Sequence, residues 1–214
     1  MTTPRDLLII AMDAGSSSPV EQGDLSLALA GAEVIDFLAA RAIRLDGDHI
    51  VPGDRTALAD RLLEEAAASL VRQAPYESVA DWLWRRGRGL SAAYRAELEA
   101  EGQLVRQGRR GISFRAGELV VADSPDRRRA ADRWASDEPV LAFLAGAVRV
   151  HGERRDSTDV TDVTDVTDVT DVADDAVATV LAAVNDALVE LAAVRQRRAI
   201  EDAAFDNIWR GGVG

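Results

Sequence analysis

The sequence predicts a mainly helical fold that carries short β-hairpins. Apolar residues make up 47% of the chain and aromatic residues only 5%. Alanine and leucine dominate the apolar share, a bias that favours helix. Long segments repeat apolar residues at helical spacing, and two shorter segments combine strand-forming residues with Asp-Gly or Ala-Gly turns. At 214 residues the chain is long enough for one domain with a substantial core.

The N-terminal half is predicted to contain a short buried segment, a long helix, a hairpin and further helices. The segment RDLLIIAMD is compatible with a strand or with the first turn of a helix. Asp24 is predicted to cap the long helix LSLALAGAEVIDFLAARA. IRLDGDHIVP is predicted to form a hairpin around its Asp-Gly pair. The next three helices are predicted to start near Thr56, Pro75 and Ser91.

The C-terminal half is predicted to contain a second hairpin and three helices. QLVRQ, ISFR and ELVVA supply the strands, Pro125 and Pro139 begin two helices, and a last helix runs from about Asp174 to about Trp209. Between about 153 and 173 the tripeptide TDV occurs five times in tandem. Because a period of three fits neither helix nor strand, we predict a single domain over 1–214 with a disordered loop there. A calcium-binding acidic ladder is the alternative, but the glycine turns that it requires are absent.

The composition argues against several function classes. The chain has no cysteine, which excludes disulfides, thiolate metal sites and a cysteine nucleophile. His49 and His151 stand far apart, each beside a turn, and neither has metal-ligand spacing. Neither a phosphate-binding glycine motif nor a serine-nucleophile motif occurs. We therefore predict a protein that is not an enzyme and that has no metal site and no cofactor.

Apolar runs along the chain are short. The N-terminal run covers six residues, and no uninterrupted run reaches the roughly 18 that cross a bilayer. The sequence therefore predicts a cytoplasmic protein, which could still associate peripherally with the inner face of a membrane. All 25 basic residues are arginine, which suggests GC-rich codons and a bacterial source.

Charge is segregated along the chain. The formal net charge is −12, yet residues 85–133 contain twelve arginines and seven acidic residues, a net of +5. A basic region in an acidic protein is typical of a surface that meets a polyanion. The planar guanidinium can bind two phosphate oxygens at once. The alternative is a surface of internal ion pairs, for instance Arg95 with Glu99.

Three stretches in a fixed order carry a family resemblance. They are DLLIIAMD, then LSLALAGAEVIDFLAARAIRLDGDHI, then ESVADWLW followed by YRAELEAEGQLVRQGRRGISFRAGELVVADSP. Together they resemble the Golgi phosphoprotein 3-like family, including its bacterial members. The resemblance implies a central helical bundle with a protruding hairpin. It also implies a peripheral membrane protein that binds phosphatidylinositol 4-phosphate through a basic pocket.

The resemblance also implies a set of head-group residues. Without a gap, two family arginines align with Arg88 and Ser91. A shift of one helical turn brings Arg95 into the alignment instead. The predicted head-group residues, extended to the start of the basic region, are Arg85, Arg86, Arg88, Ser91 and Arg95.

Two other groups of the family pocket are replaced in this chain. The family has a tryptophan in the loop after the first motif, where this chain has AGSSSPVEQGD. It has an arginine before the central glycine, where this chain has Ala30. Charge-assisted hydrogen bonds contribute about 1.5–3 kcal/mol each. We therefore expect the chain to bind anionic phospholipid without strong selection of phosphatidylinositol 4-phosphate.

The second hairpin is expected to protrude and to mediate self-association or membrane contact, as the resemblance implies. An isolated two-stranded hairpin is only marginally stable and offers its edges to a partner. Apolar side chains on it suit self-association or shallow insertion, and flanking arginines suit phosphate. The predicted contact residues are Arg109, Arg110, Ile112, Phe114, Leu119 and Val121.

The predicted function is a peripheral adaptor that binds anionic phospholipid head groups and has protein clients. One alternative is a cytosolic protein-interaction or oligomerisation module without lipid binding. Another is a winged-helix DNA binder, in which the helix from Ser91 enters the groove and the hairpin is the wing. Three glutamates on that helix, Glu97, Glu99 and Glu101, would repel DNA phosphates. We therefore do not expect nucleic acid as a partner.

Overall fold

Helices dominate the structure, as predicted. The computed structural model describes residues 2–13, 21–53, 58, 60–107, 118–153 and 174–211. In chain order the elements are α1 Thr3–Asp13, α2 Gln22–Ala39, β1 Ile43–Asp46, β2 His49–Pro52, α3 Arg61–Ala68, α4 Val79–Arg86, α5 Leu90–Ala100, β3 Leu104–Gln107, β4 Glu118–Val121, α6 Pro125–Ala135, α7 Pro139–Glu153 and α8 Asp175–Gly211.

Helix α2 is the centre of the bundle. Every residue from 24 to 35 is buried, so the helix has no solvent-facing side over three turns. Helices α1, α4, α5, α7 and α8 pack around it. A helix that is apolar on all sides belongs inside a protein. This arrangement agrees with the central bundle that the family resemblance implies.

Several element boundaries differ from the predictions. The ambiguous first segment is the helix α1, whose residues 6–11 are all buried. Asp24 does not cap α2, because Glu21 is the cap residue and Asp24 lies buried in the first turn. Asp60 caps α3, its carboxylate accepting from the Leu63 N–H at 3.0 Å. Thr56, the predicted cap, lies outside the described residues.

Both predicted hairpins contain antiparallel strand pairs. In the first, Asp46 pairs with His49, and Gly47 has the positive φ of 62° that an Asp-Gly turn requires. In the second, β3 and β4 pair along their length, from Leu104 with Val121 to Gln107 with Glu118. The segment ISFR, the four predicted contact residues Arg109, Arg110, Ile112 and Phe114, and the TDV repeats lie outside the described residues.

Helix α8 has 37 residues, which corresponds to a length of about 55 Å. Its stretch Asp175–Asp202 contains an 18-residue window with a mean hydropathy of 1.8, which is long and apolar enough to cross a membrane by length and composition, and 28% of that window is buried. The absence of long apolar runs in the sequence does not reveal this stretch, because polar residues interrupt its apolar residues. Core helices of water-soluble proteins meet the same criterion. Here the fully buried side chains Val180, Leu181 and Val184 pack into the core that α8 shares with α2, α4 and α7.

Gly31 sets how closely α2 and α8 approach each other. A Cβ atom at this position would lie 2.3 Å from Val184 Cγ2. We expect Gly31→Ala to lower the free energy of unfolding by about 1–3 kcal/mol through overpacking. Gly146→Ala in α7 is the matched control, because nothing lies within 4 Å of its added Cβ. It should be neutral or stabilising by up to about 1 kcal/mol.

Urea unfolding of both variants checks this prediction. A lower free energy of unfolding for Gly31→Ala, together with an unchanged or higher one for Gly146→Ala, would assign the effect to packing between α2 and α8. Similar effects of the two substitutions would contradict it, since helix propensity alone would then account for both.

Candidate functional site

Arg86 is part of a buried charge network. Its guanidinium donates two hydrogen bonds of 2.9 Å to the carboxylate of Glu33 and one of 3.1 Å to the Leu62 carbonyl. Glu33 is fully buried and also accepts from the Tyr94 hydroxyl at 3.1 Å. Burial raises the pKa of Glu33, while Arg86 and Tyr94 act in the opposite direction. The donors of Arg86 are thus used inside the bundle, and its predicted contact with a head group stays a prediction.

Arg85 is also neutralised. It forms two hydrogen bonds to Glu77, at 2.6 and 2.7 Å, and its guanidinium lies 4.9 Å from the centre of the Trp82 ring. The side chain is 43% exposed. Its charge is available at the surface only as part of an ion pair, and its contribution to phosphate binding is reduced accordingly.

Most other described arginines of the basic region are ion-paired too. The pairs are Arg106 with Glu99, Arg127 with Asp13, Arg128 with Asp123, Arg129 with Asp126, and Arg133 with Asp6 and Glu138. The ion-pair interpretation of the basic region thus describes these residues correctly. The pair named from the sequence, Arg95 with Glu99, does not form, because Glu99 bonds to Arg106.

Arg88 and Arg95 are the exceptions. Neither side chain makes a hydrogen bond or an ion pair within the described part of the chain. Arg88 is exposed in the turn between α4 and α5, next to Gly89 with its φ of 73°. Arg95 is half-buried, and its Nε is inaccessible and has no partner. Buried polar groups are normally satisfied, so Arg95 has donor capacity that the described residues do not use.

Ser91 lies between these two arginines and joins α5 to α2. Its backbone N–H donates to Ser26 Oγ at 3.1 Å, and its hydroxyl donates to the Gln22 carbonyl at 3.2 Å. The two serine hydroxyls are 2.9 Å apart. Ser91 is only 2% exposed. It therefore positions α5 against the first turn of α2, and its predicted contact with a head group stays a prediction.

The start of α2 adds a further feature to this region. The N-cap residue makes no side-chain capping bond. The first N–H groups of a helix have no partner inside the helix and carry a partial positive charge, which favours anions. The prediction missed this contribution because it placed the cap at Asp24. We call Arg88, Ser91, Arg95 and the first turn of α2, residues 22–24, the head-group site.

The hairpin of β3 and β4 presents a different face from the predicted one. Val121 is only 7% exposed and Leu119 packs against the core. Both side chains therefore lie on the core side of the hairpin, and their predicted role in self-association or membrane contact stays a prediction. Val105 is the outward apolar residue on β3, with 44% exposure, and its strand partner Val120 is partly exposed.

The family model for Golgi phosphoprotein 3 (GPP34) matches residues 4–199. The chain belongs to this family. GPP34 proteins form a family of non-enzymatic adaptor and lipid-binding type that is associated with membranes. The match runs from α1 into α8 and includes every residue of the head-group site. No curated protein matches the chain.

This GPP34 member differs from the family pocket at residue 30. Ala30 is fully buried, and its carbonyl accepts a hydrogen bond of 3.2 Å from Trp82 Nε1. This position supplies no charge, and Arg88 and Arg95 are the cations of the candidate site that have no partner among the described residues. Among the residues that the structure describes, no group of three or more carboxylates or histidines could hold a metal ion.

Proposed function

We propose that the chain is a peripheral membrane adaptor that binds anionic phospholipid head groups at the head-group site. The observation that carries this proposal is the pair of arginines, Arg88 and Arg95, that have no counter-ion among the described residues. The other described arginines of residues 85–133 are all ion-paired. Cations without a counter-ion favour phosphate, and Ser91, which lies between the two arginines in the sequence, contacts the start of α2. On this proposal the protein acts at the cytoplasmic face of a membrane.

The expected ligand is a phosphate group presented by an anionic lipid. Two guanidinium forks and helix N–H groups all recognise phosphate oxygens. Among the described residues, these groups recognise the charge of a phosphate and not a particular arrangement of ring hydroxyls. Phosphatidylglycerol is therefore expected to bind as well as phosphatidylinositol 4-phosphate.

Co-sedimentation with liposomes tests the proposal. Neutral, phosphatidylglycerol and phosphatidylinositol 4-phosphate vesicles are compared at low and at moderate salt. Each basic group near an anionic surface contributes about 1 kcal/mol. Arg88→Gln with Arg95→Gln should therefore weaken binding about 30-fold. Salt should weaken the wild type as well, because the contacts are electrostatic.

The control is Arg44→Gln with Arg72→Gln, which makes the same change in charge at two exposed arginines outside the site. Equal losses in both double variants would show unspecific attraction and contradict a defined site. Failure of the wild type to bind any anionic vesicle at low salt would contradict lipid binding altogether. A clear preference for the phosphoinositide would show that ring recognition is retained.

The second hairpin supports one other function, a protein-interaction module. Val105 is exposed on a two-stranded sheet, which offers edges to a second copy of the chain. Sedimentation velocity without lipid separates the two functions. A concentration-dependent dimer, together with an absence of vesicle binding, would favour the interaction module.

A further inference from the structure

Arg195 of α8 reaches the first turn of α2. Its Nη1 lies 2.5 Å from Oδ1 of Asp24. Its Nη2 lies 2.6 Å from the point where a Cβ of Gly23 would stand. Gly23 thus leaves the room that the guanidinium occupies. Arg195 is 26% exposed, whereas Asp24 is 1% exposed.

The same face of α2 carries the turn that holds Arg88. A Cβ added at Gly87 would lie 3.3 Å from Leu27 Cδ2 and 3.4 Å from the Ser26 carbonyl oxygen. Residues 23, 26 and 27 are related as i, i+3 and i+4, and such positions share one face of a helix. Ser91 contacts the neighbouring positions Gln22 and Ser26. Arg195 and the Arg88 turn therefore approach the site from one side of α2.

We propose that Arg195 is a third cationic contact for the phosphate of the bound head group, an inference that rests on the proposed function. A guanidinium has five N–H donors, and the bond to Asp24 uses one of them. Nη2 itself lies on the Gly23 side of α2. Arg195 thereby supplies a cation in a chain that has Ala30 where the resemblance implies an arginine. The residue comes from the last described helix, far in sequence from Arg88 and Arg95.

Asp24 has two effects in this arrangement. It holds Arg195 in place, and it also reduces the positive charge that the guanidinium presents to a phosphate. The second carboxylate oxygen of Asp24 is buried and has no partner. Asp24→Asn should keep the shape of the side chain and remove the negative charge. We expect this variant to bind anionic vesicles several-fold more tightly than the wild type.

The decisive variant is the double substitution Asp24→Asn with Arg195→Gln. It removes both charges of the pair, so the net charge of the protein is unchanged and no buried charge is left alone. We expect about fivefold weaker binding to phosphatidylglycerol vesicles than for Asp24→Asn alone, the loss of one basic contact that Asp24 no longer offsets. Arg197→Gln is the control, because Arg197 is exposed on another face of α8. It should change binding less than twofold, although it lowers the net charge.

The measurements are vesicle co-sedimentation, circular dichroism to confirm folding, and titration calorimetry with soluble glycerol 3-phosphate. A folded double variant that binds vesicles as tightly as Asp24→Asn alone would overturn the role of Arg195 and leave the proposed function intact. A wild type that binds no anionic vesicle would overturn the proposed function itself. Binding of glycerol 3-phosphate without any binding to vesicles would overturn the lipid assignment.

Discussion

Replacement of Arg86 by methionine is expected to lower the free energy of unfolding by about 3–5 kcal/mol. The substitution keeps most of the side-chain volume but leaves Glu33 without its cation. Glu33 is fully buried, and the Tyr94 hydroxyl would then be its remaining hydrogen-bond partner among the described side chains. Urea unfolding at about pH 7 measures the loss as a lower midpoint. The stability of a typical domain is about 5–15 kcal/mol, so the change is large.

The loss caused by Arg86→Met should depend on pH. Burial already raises the pKa of Glu33 in the wild type, and Arg86 opposes that rise. A carboxyl whose pKa is higher in the folded state than in the unfolded state binds its proton more tightly when folded. Its contribution to stability is therefore complete below the unfolded pKa and is lost as pH rises through the folded pKa. Without Arg86 the pKa of folded Glu33 rises further, so stability falls over a wider range of pH. The loss of stability relative to wild type should therefore be smaller at about pH 5 than at about pH 7.

The double variant Glu33→Gln with Arg86→Met is the control for this prediction. It contains no ionisable group at either position, so its deficit should be smaller and should not shrink as the pH falls over the same range. A deficit of Arg86→Met that is equal at both pH values would contradict the assignment to an uncompensated carboxylate.

Replacement of Trp82 by alanine is expected to cost about 3–5 kcal/mol. Trp82 is fully buried and meets the Phe37 ring edge to face, with 6.0 Å between the ring centres. Its indole N–H donates to the Ala30 carbonyl. The substitution removes the largest fully buried side chain between α4 and α2 and leaves a cavity.

Trp84 provides a matched control two residues along the same helix. Its side chain is only partly buried, so Trp84→Ala should cost less than half as much as Trp82→Ala. Urea midpoints of the two variants measure the difference. Similar losses would contradict the view that burial of the Trp82 ring joins α4 to α2.

Local sequence signals predicted many of the elements correctly. Pro125 and Pro139 begin helices where expected, and the Asp-Gly turn forms the first hairpin. The first segment remained ambiguous because a continuous apolar run has no periodicity by which helix and strand differ. Ser91 correctly indicates the start of α5, which begins one residue earlier at Leu90, but its hydroxyl bonds to α2 and does not cap α5.

The candidate site was harder to predict than the fold. The net charge of residues 85–133 indicated a basic surface, yet part of the neutralising charge comes from other parts of the chain. Glu33 lies 53 residues before Arg86, and Asp13 lies 114 residues before Arg127. Only the tertiary structure determines which arginines receive such a partner. Family resemblance named Arg88 and Arg95, but no sequence signal showed that these two stay unpaired among the described residues.

The packing of α8 on α2 has a consequence for the synthesis of the chain. Val184 of α8 meets Gly31 of α2 about 150 residues later in the sequence. At about 5–20 residues per second, a ribosome needs roughly 8–30 s to make the intervening chain. Throughout that time the apolar side of α2 that α8 covers is open to other nascent or cytosolic proteins. The bundle therefore closes only when its last described helix has left the ribosome, and a chain that stops before α8 exposes its central helix.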